Sequence, residues 1–478
     1  MLVKQFKNLI LPLLICLLII SFITTDITPL HSGLGIDGMW YNKTILQEDY
    51  NPSNYHIFKL LPSYLIKVFF EFFNINKNHL NILLSFKIFN LISLCLTMLI
   101  LDQISNTFLE DKNKLLIIIS TLSFTVLKVS MYDVVTPDYF GFFLATAFLY
   151  SFLVKRSIIM IPLLIISYFT NPIVFLIGMV LLIFSNTSPK DVKQAKVSRV
   201  AFYLACLFGM LILFWTVYMI IPMYKAGIEL TKWHIPDTLN IYVFPISALL
   251  VSVLCAYLSH PLFYHFIRYL HLKNLLKVNL FYVVISIFFM ILKSFVVEFN
   301  DSPTELDDTG HLIYMWPLYF CMKPLVGVSE HIHSLGIMIV FALLFWRKIV
   351  LQSSEMFGAS GLIILGLFVL FIIKPETRHT LPFVPIVSLL VVKVIPDDFL
   401  SIKNTFLLVT TSLILSKIYY PLQLAAFSCD PQVFPAQHYF MFFGFSCNYA
   451  MYLIQITISF FILIYIKKLI SRNELSSL

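Results

Sequence analysis

Four short stretches carry residues whose types and spacing can do chemistry. In Gly35-Ile36-Asp37-Gly38-Met39-Trp40-Tyr41, a carboxylate stands between glycines and beside two aromatics. Asp26 lies upstream, at the end of the first apolar run. A carboxylate held there can act as a general base toward a hydroxyl or ligate a divalent metal. The glycines allow the backbone to approach a ligand, and Trp40 and Tyr41 suit a sugar face or a membrane interface. The plainer alternative is that Asp37 caps a short helix and the aromatics belong to an interfacial belt. A second polar turn carries Asp133 and Thr136-Pro137-Asp138-Tyr139. Asp138 is placed as an N-cap, and a cap can also be a second carboxylate facing the cavity of Asp37.

The cations lie elsewhere. His56-Ile57-Phe58-Lys59-Leu60-Leu61-Pro62-Ser63-Tyr64 opens an apolar stretch reaching Phe73, too short and too polar for a span, which reads as a helix lying in the interface. Lys59 there can meet a lipid phosphate or snorkel to headgroups. The run from Lys374 through Glu376, Arg378, His379, Pro382 and Pro385 forms a tight turn between apolar segments. An arginine in such a turn can grip a phosphate bidentately and a histidine can donate or relay a proton, while Arg378 paired with Glu376 as a simple anchor is the competing reading. The stretch from Glu298 to His333 holds acids and histidines without a metal-ligand spacing, and reads as a solvated acidic loop. Cys429 and Cys447 share the last polar loop and could pair in an oxidising compartment; four other cysteines sit in apolar runs as packed thiols.

The elements that must position these residues are set by composition. Of 478 residues, 59% are hydrophobic and 12% charged, with a mean hydropathy of +0.89, whereas a soluble domain is about 25% charged. Such a chain is solvated by lipid. The expected fold is a single all-α transmembrane bundle over 1–478, with about 12–14 spans, an outer-face cavity and interfacial helices. Apolar runs place fourteen segments, give or take two, at 8–24, 78–102, 115–131, 138–154, 157–169, 172–186, 199–222, 241–259, 277–297, 334–347, 358–374, 380–394, 404–420 and 448–466. The pairs around Asn171-Pro172 and Arg378 are shorter than the ~20 residues of an upright span and read as broken or re-entrant. With the N-terminus inside, most of the 33 basic residues fall on inner segments and most of the 25 acidic ones on outer segments. The long outer segments are 25–77, 223–240, 298–333 and 421–447. Both termini are therefore expected in the cytoplasm, in a bacterial inner membrane rather than the endoplasmic reticulum. The scattered basic residues form no stripe for nucleic acid.

Taken together and in order, Asp37-Gly38-Met39-Trp40-Tyr41, Leu61-Pro62, Pro137-Asp138, the Asn171-Pro172 hairpin and Arg378-His379-Thr380-Leu381-Pro382 resemble the C-type superfamily of integral membrane glycosyltransferases. That resemblance implies inverting transfer of a sugar from a polyprenyl-phosphate donor to a glycan or lipid-linked acceptor at the cell envelope, on the outer face. It implies Asp37 as base, with Asp26 or Asp138 assisting or holding a metal, and Arg378, His379 and Lys59 on the lipid phosphate, with Glu376, Trp40 and Tyr41 beside them. A divalent metal ion is the one cofactor it leaves open. Where such families often carry arginines, this chain has Leu61 and Asn171. No P-loop or dinucleotide fingerprint is present. The rival readings are a transporter or flippase of lipid-linked oligosaccharide, expected to show midplane charges and repeated halves, and an oligosaccharide polymerase.

Overall fold

A computed structural model describes residues 2–28, 30–35, 37–46, 56–109, 113–184, 194–226, 243–269, 278–298, 319, 321–374, 376–397, 402–418 and 449–476. Among these residues the chain is helical, with no strand. Lipid offers no partner for backbone N–H and C=O groups, so an apolar chain satisfies them within helices. The helices are α1 Leu2–Thr24, α2 Gly38–Leu46, α3 Leu61–Phe72, α4 His79–Phe108, α5 Asn113–Thr121, α6 Ser130–Tyr132, α7 Asp138–Leu153, α8 Ser157–Tyr168 and α9 Pro172–Ile183. They continue as α10 Gln194–Ala226, α11 Val243–Tyr269, α12 Leu280–Glu298, α13 Val326–Leu335, α14 Ile337–Leu344, α15 Trp346–Ile373, α16 Val384–Val394, α17 Ile402–Ser416 and α18 Tyr449–Ser476.

The chain is a multi-pass membrane bundle. Among the described residues, six helical stretches are long and apolar enough to cross alone, a bent pair adds a seventh, and five apolar helices are shorter. Every expected apolar segment coincides with a helix, but length separates them. At twelve residues, α8 and α9 each rise about 18 Å, well short of the ~30 Å hydrocarbon core.

Three elements differ from the sequence expectation. The segment 115–131 is broken, bending by 66° between Lys114–Thr121 and Thr125–Tyr132. A π-helical turn, Thr125–Val129, follows the break, and the Ser21 hydroxyl of α1 donates to the Leu127 carbonyl there. The inner connection expected before residue 358 is helix instead: α15 starts at Trp346 and is interrupted at Gly358, whose φ of 62° and ψ of −138° break the helical path. Residues 326–333, expected within a solvated outer loop, belong to α13, buried along its length.

The core gathers α4, α5, α7, α14, α15 and α16, and the stretch Thr377–Val394 is almost wholly enclosed. The rim is the reverse. Phe202, Tyr203, Phe214 and Tyr218 on α10, and Phe281 and Phe288 on α12, point away from the bundle, as side chains facing lipid do. On α3, Leu65, Val68, Phe69 and Phe72 are exposed while Ile66 and Phe70 are buried, an amphipathic helix too short to cross.

Candidate functional site

The first polar segment is tied to the turn between α6 and α7. Leaving α1, the Thr28 N–H donates to the Tyr132 carbonyl at 2.8 Å. From α4, the Asn90 side-chain amide donates to the carbonyls of Ser130 at 3.1 Å and Val134 at 2.9 Å, which fixes that turn from below. Two glycines bring the segment down onto it. Gly35 has φ +70°, and a β-carbon there would run into Asp133 Oδ1. At Gly38 a β-carbon would lie 2.8 Å from Val135 Cβ. The glycines flanking Asp37 thus admit a neighbouring turn of the chain, where sequence reading assigned them to a ligand. Asp37 is thereby carried in beside Asp133.

The cationic turn reaches the same place from the other end of the chain. His331 on α13 puts Nε2 2.9 Å from the Lys374 carbonyl and 3.2 Å from that of Phe371. The Thr377 hydroxyl donates to Glu330 Oε1 at 3.4 Å, and the Ser334 hydroxyl donates to the same oxygen at 2.8 Å. Held this way, Arg378 donates through Nη1 to Asp37 Oδ2 and through Nε to Glu376 Oε1, the latter at 2.6 Å. Lys374 Nζ lies 2.6 Å from Glu376 Oε2 and 2.7 Å from His379 Nδ1. On the far side of Asp37, His56 Nε2 is 3.7 Å from Oδ1.

Asp138 opens α7 and is held by two donors, the Thr136 hydroxyl at 2.6 Å and the Asn171 amide at 3.3 Å. Asn171 also caps α9, its Oδ1 accepting from the Ile173 N–H at 3.0 Å. One side chain therefore couples the α8–α9 hairpin to the carboxylate. The Leu61 N–H donates to the Phe169 carbonyl in that same hairpin turn, which sets Lys59 near Asp138. Lys59 and Asp138 are both buried. The side chains of Asp37 and Arg378 keep 16% and 14% of their surface, so this ion pair is the face the cluster presents.

The environment separates the carboxylates. Burial works to raise the Asp37 carboxyl, but the Arg378 guanidinium, then His56 and Lys59, outweigh it and hold it well below the usual carboxylate range. Glu376 behaves alike: burial opposes ionisation, and His379, Lys374 and Arg378 overcome it. Asp133 goes the other way. Burial pushes it up to about 7 despite Arg378, and the charges of Asp37 and Asp138 add to the rise. Burial also draws the Lys59 ammonium down to about 8, against the pull of Asp138. Chemically, the cluster offers a guanidinium and two lysines able to meet an oxyanion, with one carboxylate ionised beside another poised to exchange a proton.

Most of the sequence-derived candidates converge here: Asp37, Asp138, Lys59, Glu376, Arg378 and His379. Asp26 does not. It is exposed at the end of α1, and the cations that sense its charge are Lys87 and Lys128. Tyr41 is also displaced from the role of a sugar platform, because its ring is buried in a small core with Ile45, Leu60, Phe70 and Phe86. Trp40 stays partly exposed, its ring 5.5 Å from that of His56. Among the described residues no three His, Cys, Asp or Glu side chains converge as metal ligands. The Arg378 guanidinium occupies the side of Asp37 that a cation would need, and no third ligand joins it and Asp138, so as held here these two carboxylates do not form a divalent-cation site. The acidic stretch around Asp301–Asp308, most of 223–240, and Cys429 with Cys447 lie outside the described residues.

Asp133, His56, Lys374 and Asn171 also belong to the cluster; sequence reasoning named the motifs that hold them but gave these four no role in the site. Asp133 carried one signal, its place in the same polar turn as Asp138; which of the two adjoins Asp37 depends on the contact at Gly35, invisible in the spacing. Compared with protein-family models, curated proteins and solved structures, the chain matches none.

Proposed function

We propose that this protein is an inverting membrane glycosyltransferase that moves a sugar from a polyprenyl-phosphate donor to a hydroxyl of a glycan or lipid-linked acceptor, on the outer face of the membrane. The observation that carries the reading is the Asp37–Arg378 pair, which joins two segments 341 residues apart at one polar end of an apolar bundle, with Lys59 and Asp138 beside it. A prenyl-phosphate leaving group needs cations where its charge develops, and the acceptor hydroxyl needs a carboxylate to take its proton. Arg378 and Lys59 supply the first; the cluster's carboxylates supply the second. A lipid donor approaches sideways from the bilayer, and the exposed apolar face of α3 lies immediately after Lys59, placed to guide a prenyl chain. The opposed asymmetry of basic and acidic residues favours the outer face for this end.

A transporter reading draws on the buried ionisable residues of α13. Two of those residues are engaged otherwise, since His331 meets the carbonyls at Phe371 and Lys374 and Glu330 accepts from Thr377, so both brace the turn that presents Arg378, while His333 faces the Gln455 carbonyl of α18. The direct test is transfer in reconstituted vesicles, using polyprenyl phosphates charged with radiolabelled hexoses and pentoses and a total membrane glycolipid extract as acceptor. Label is expected to move to the extract, and Arg378→Ala is expected to lose about 100- to 1,000-fold, the scale of one oriented donor to a developing oxyanion. A wild-type protein that moves no label from any donor in the panel, and binds sugar-free polyprenyl phosphate no better than Arg378→Ala does, overturns the reading.

A further inference from the structure

The resting geometry leaves Asp37 poorly placed to accept a proton. Its Oδ2 accepts from Arg378, and its Oδ1 faces His56 at 3.7 Å, so a hydroxyl arriving at this carboxylate must compete with a guanidinium. Asp133 is arranged differently. It lies against the backbone at Gly35, two residues from Asp37, and among the described residues no side chain or backbone N–H donates to its carboxylate. The groups that face it are Arg378 from the cationic turn, Asp37 from the first polar segment, and Asp138 and Tyr139 from the start of α7. It is buried, within the field of the other two carboxylates, and closed on one side by Gly35, where any added side chain would run into its Oδ1.

We propose that Asp133 takes the proton of the acceptor hydroxyl, and that Asp37 holds Arg378 until the donor phosphate draws the guanidinium to itself. This deepens the glycosyltransferase reading and rests on it. In the step, the acceptor O–H bond breaks and its proton passes to an Asp133 carboxylate oxygen. The freed electron pair forms the bond to the anomeric carbon. The bond from that carbon to the phosphate oxygen breaks, its pair leaving with the prenyl phosphate, whose charge Arg378 and Lys59 meet. Asp133 then returns the proton to bulk water or to the departing phosphate. A carboxylate that exchanges protons near neutral pH suits this duty, because a strongly depressed one has little proton affinity to offer.

Two measurements test it. The first needs no donor: difference infrared spectroscopy of the purified full-length protein across a pH titration. A protonated-carboxyl carbonyl band is expected to disappear as pH rises through about 7. Burial also lifts Glu330 to about 7, so the titration is run in a Glu330→Gln background: the remaining band should be lost on adding Asp133→Asn and retained on adding Asp37→Asn, and a band that survives Asp133→Asn there overturns the assignment. The second is the transfer assay with radiolabelled polyprenyl-phosphate sugars. Asp133→Asn is expected to lose about 100- to 10,000-fold in kcat while still binding sugar-free polyprenyl phosphate. Asp37→Asn is expected to lose less in kcat and to show its defect in donor KM. Should Asp133→Asn fail to fold, the wild-type pH profile replaces it: the rate should fall on acidification below about 7, and a flat profile there overturns the proposal. An active wild type with an equally active Asp133→Asn removes Asp133 alone, whereas an inactive wild type removes both readings.

Discussion

The hairpin of α10 and α11 and the stretch Thr377–Val394 are both apolar enough to cross a membrane, yet they treat their side chains oppositely. The hairpin holds itself together along a narrow seam where Gly209 lets α10 close on α11, and gives most of its large side chains to the lipid. Thr377–Val394 is the less apolar of the two and the more deeply enclosed, carrying the polar turn into the core. In water the apolar element would be the buried one. In lipid, apolar surface can stay outside, so the stronger demand for enclosure comes from the polar groups that Thr377–Val394 carries. α15, more apolar than either, is enclosed too, so burial alone does not mark polar residues here; within the polar turn, however, mutations should hurt in proportion to the polar partners they strand.

The largest effect is expected at Arg378. Replacing it by alanine strands the carboxylates of Asp37 and Glu376, a change of about 3–5 kcal/mol for an enclosed pair that loses one partner. The thermal unfolding midpoint of the detergent-purified protein should drop accordingly, and adding Asp37→Asn should restore part of the loss, a coupling of about 1–3 kcal/mol. Additive losses would show that the pair is not a unit. Next comes Asp133. Its folded carboxyl stands at about 7 against 3.8 unfolded, so it favours folding in full below about 3.8, and the contribution fades as pH rises through about 7. Wild type should therefore lose stability relative to Asp133→Asn over that window, by at most about 1.4 kcal/mol per pH unit. Parallel stability curves for the two proteins would remove the buried-carboxyl account.

Smaller effects belong to the rim. A β-carbon at Gly209 would lie 2.8 Å from the Ser252 carbonyl oxygen and 3.1 Å from Ala256 Cβ, so Gly209→Ala must push the hairpin apart. About 1–2 kcal/mol is expected, read from the same unfolding experiment in native-like lipid. Phe214→Leu, at a side chain 71% exposed to lipid, should change stability by less than about 0.5 kcal/mol. A Phe214 effect as large as that at Gly209 would mean this face packs against something other than lipid.

Much of the frame was legible before any coordinates. Hydropathy located each apolar helix, because a segment that cannot wet its surface must close its backbone hydrogen bonds locally. The polar candidates were legible too, since charged residues are rare enough in this chain to stand out: Asp37, Lys59, Asp138 and Arg378 were all found on type and placement. The errors have a common cause. Asp26 reads like Asp37 in sequence, but lies nine residues before the chain closes onto Asp133 at Gly35, and so stays at the exposed end of α1. Tyr41 reads like Trp40, yet adjacent positions on a helix point about 100° apart, and only Trp40 remains partly exposed. The bend in 115–131 interrupts an apolar run without a proline, leaving periodicity nothing to detect, and before Gly358 the polar stretch Gln352-Ser353-Ser354-Glu355 reads as a connection although the backbone stays helical up to the break.

The amino-acid sequence was enough to specify a multi-pass helical bundle and to mark out its scarce charges. Those are properties of composition and of local hydrogen bonding. Which charges meet was decided by tertiary structure alone: Asp37 with Arg378 across 341 residues, Asp138 with Asn171, Asp133 with Gly35. The physical reason is that an ion pair or a glycine contact depends on ångström-scale separation between distant helices. Hydropathy specifies how deep a residue sits in the membrane, and leaves open which neighbour it faces there.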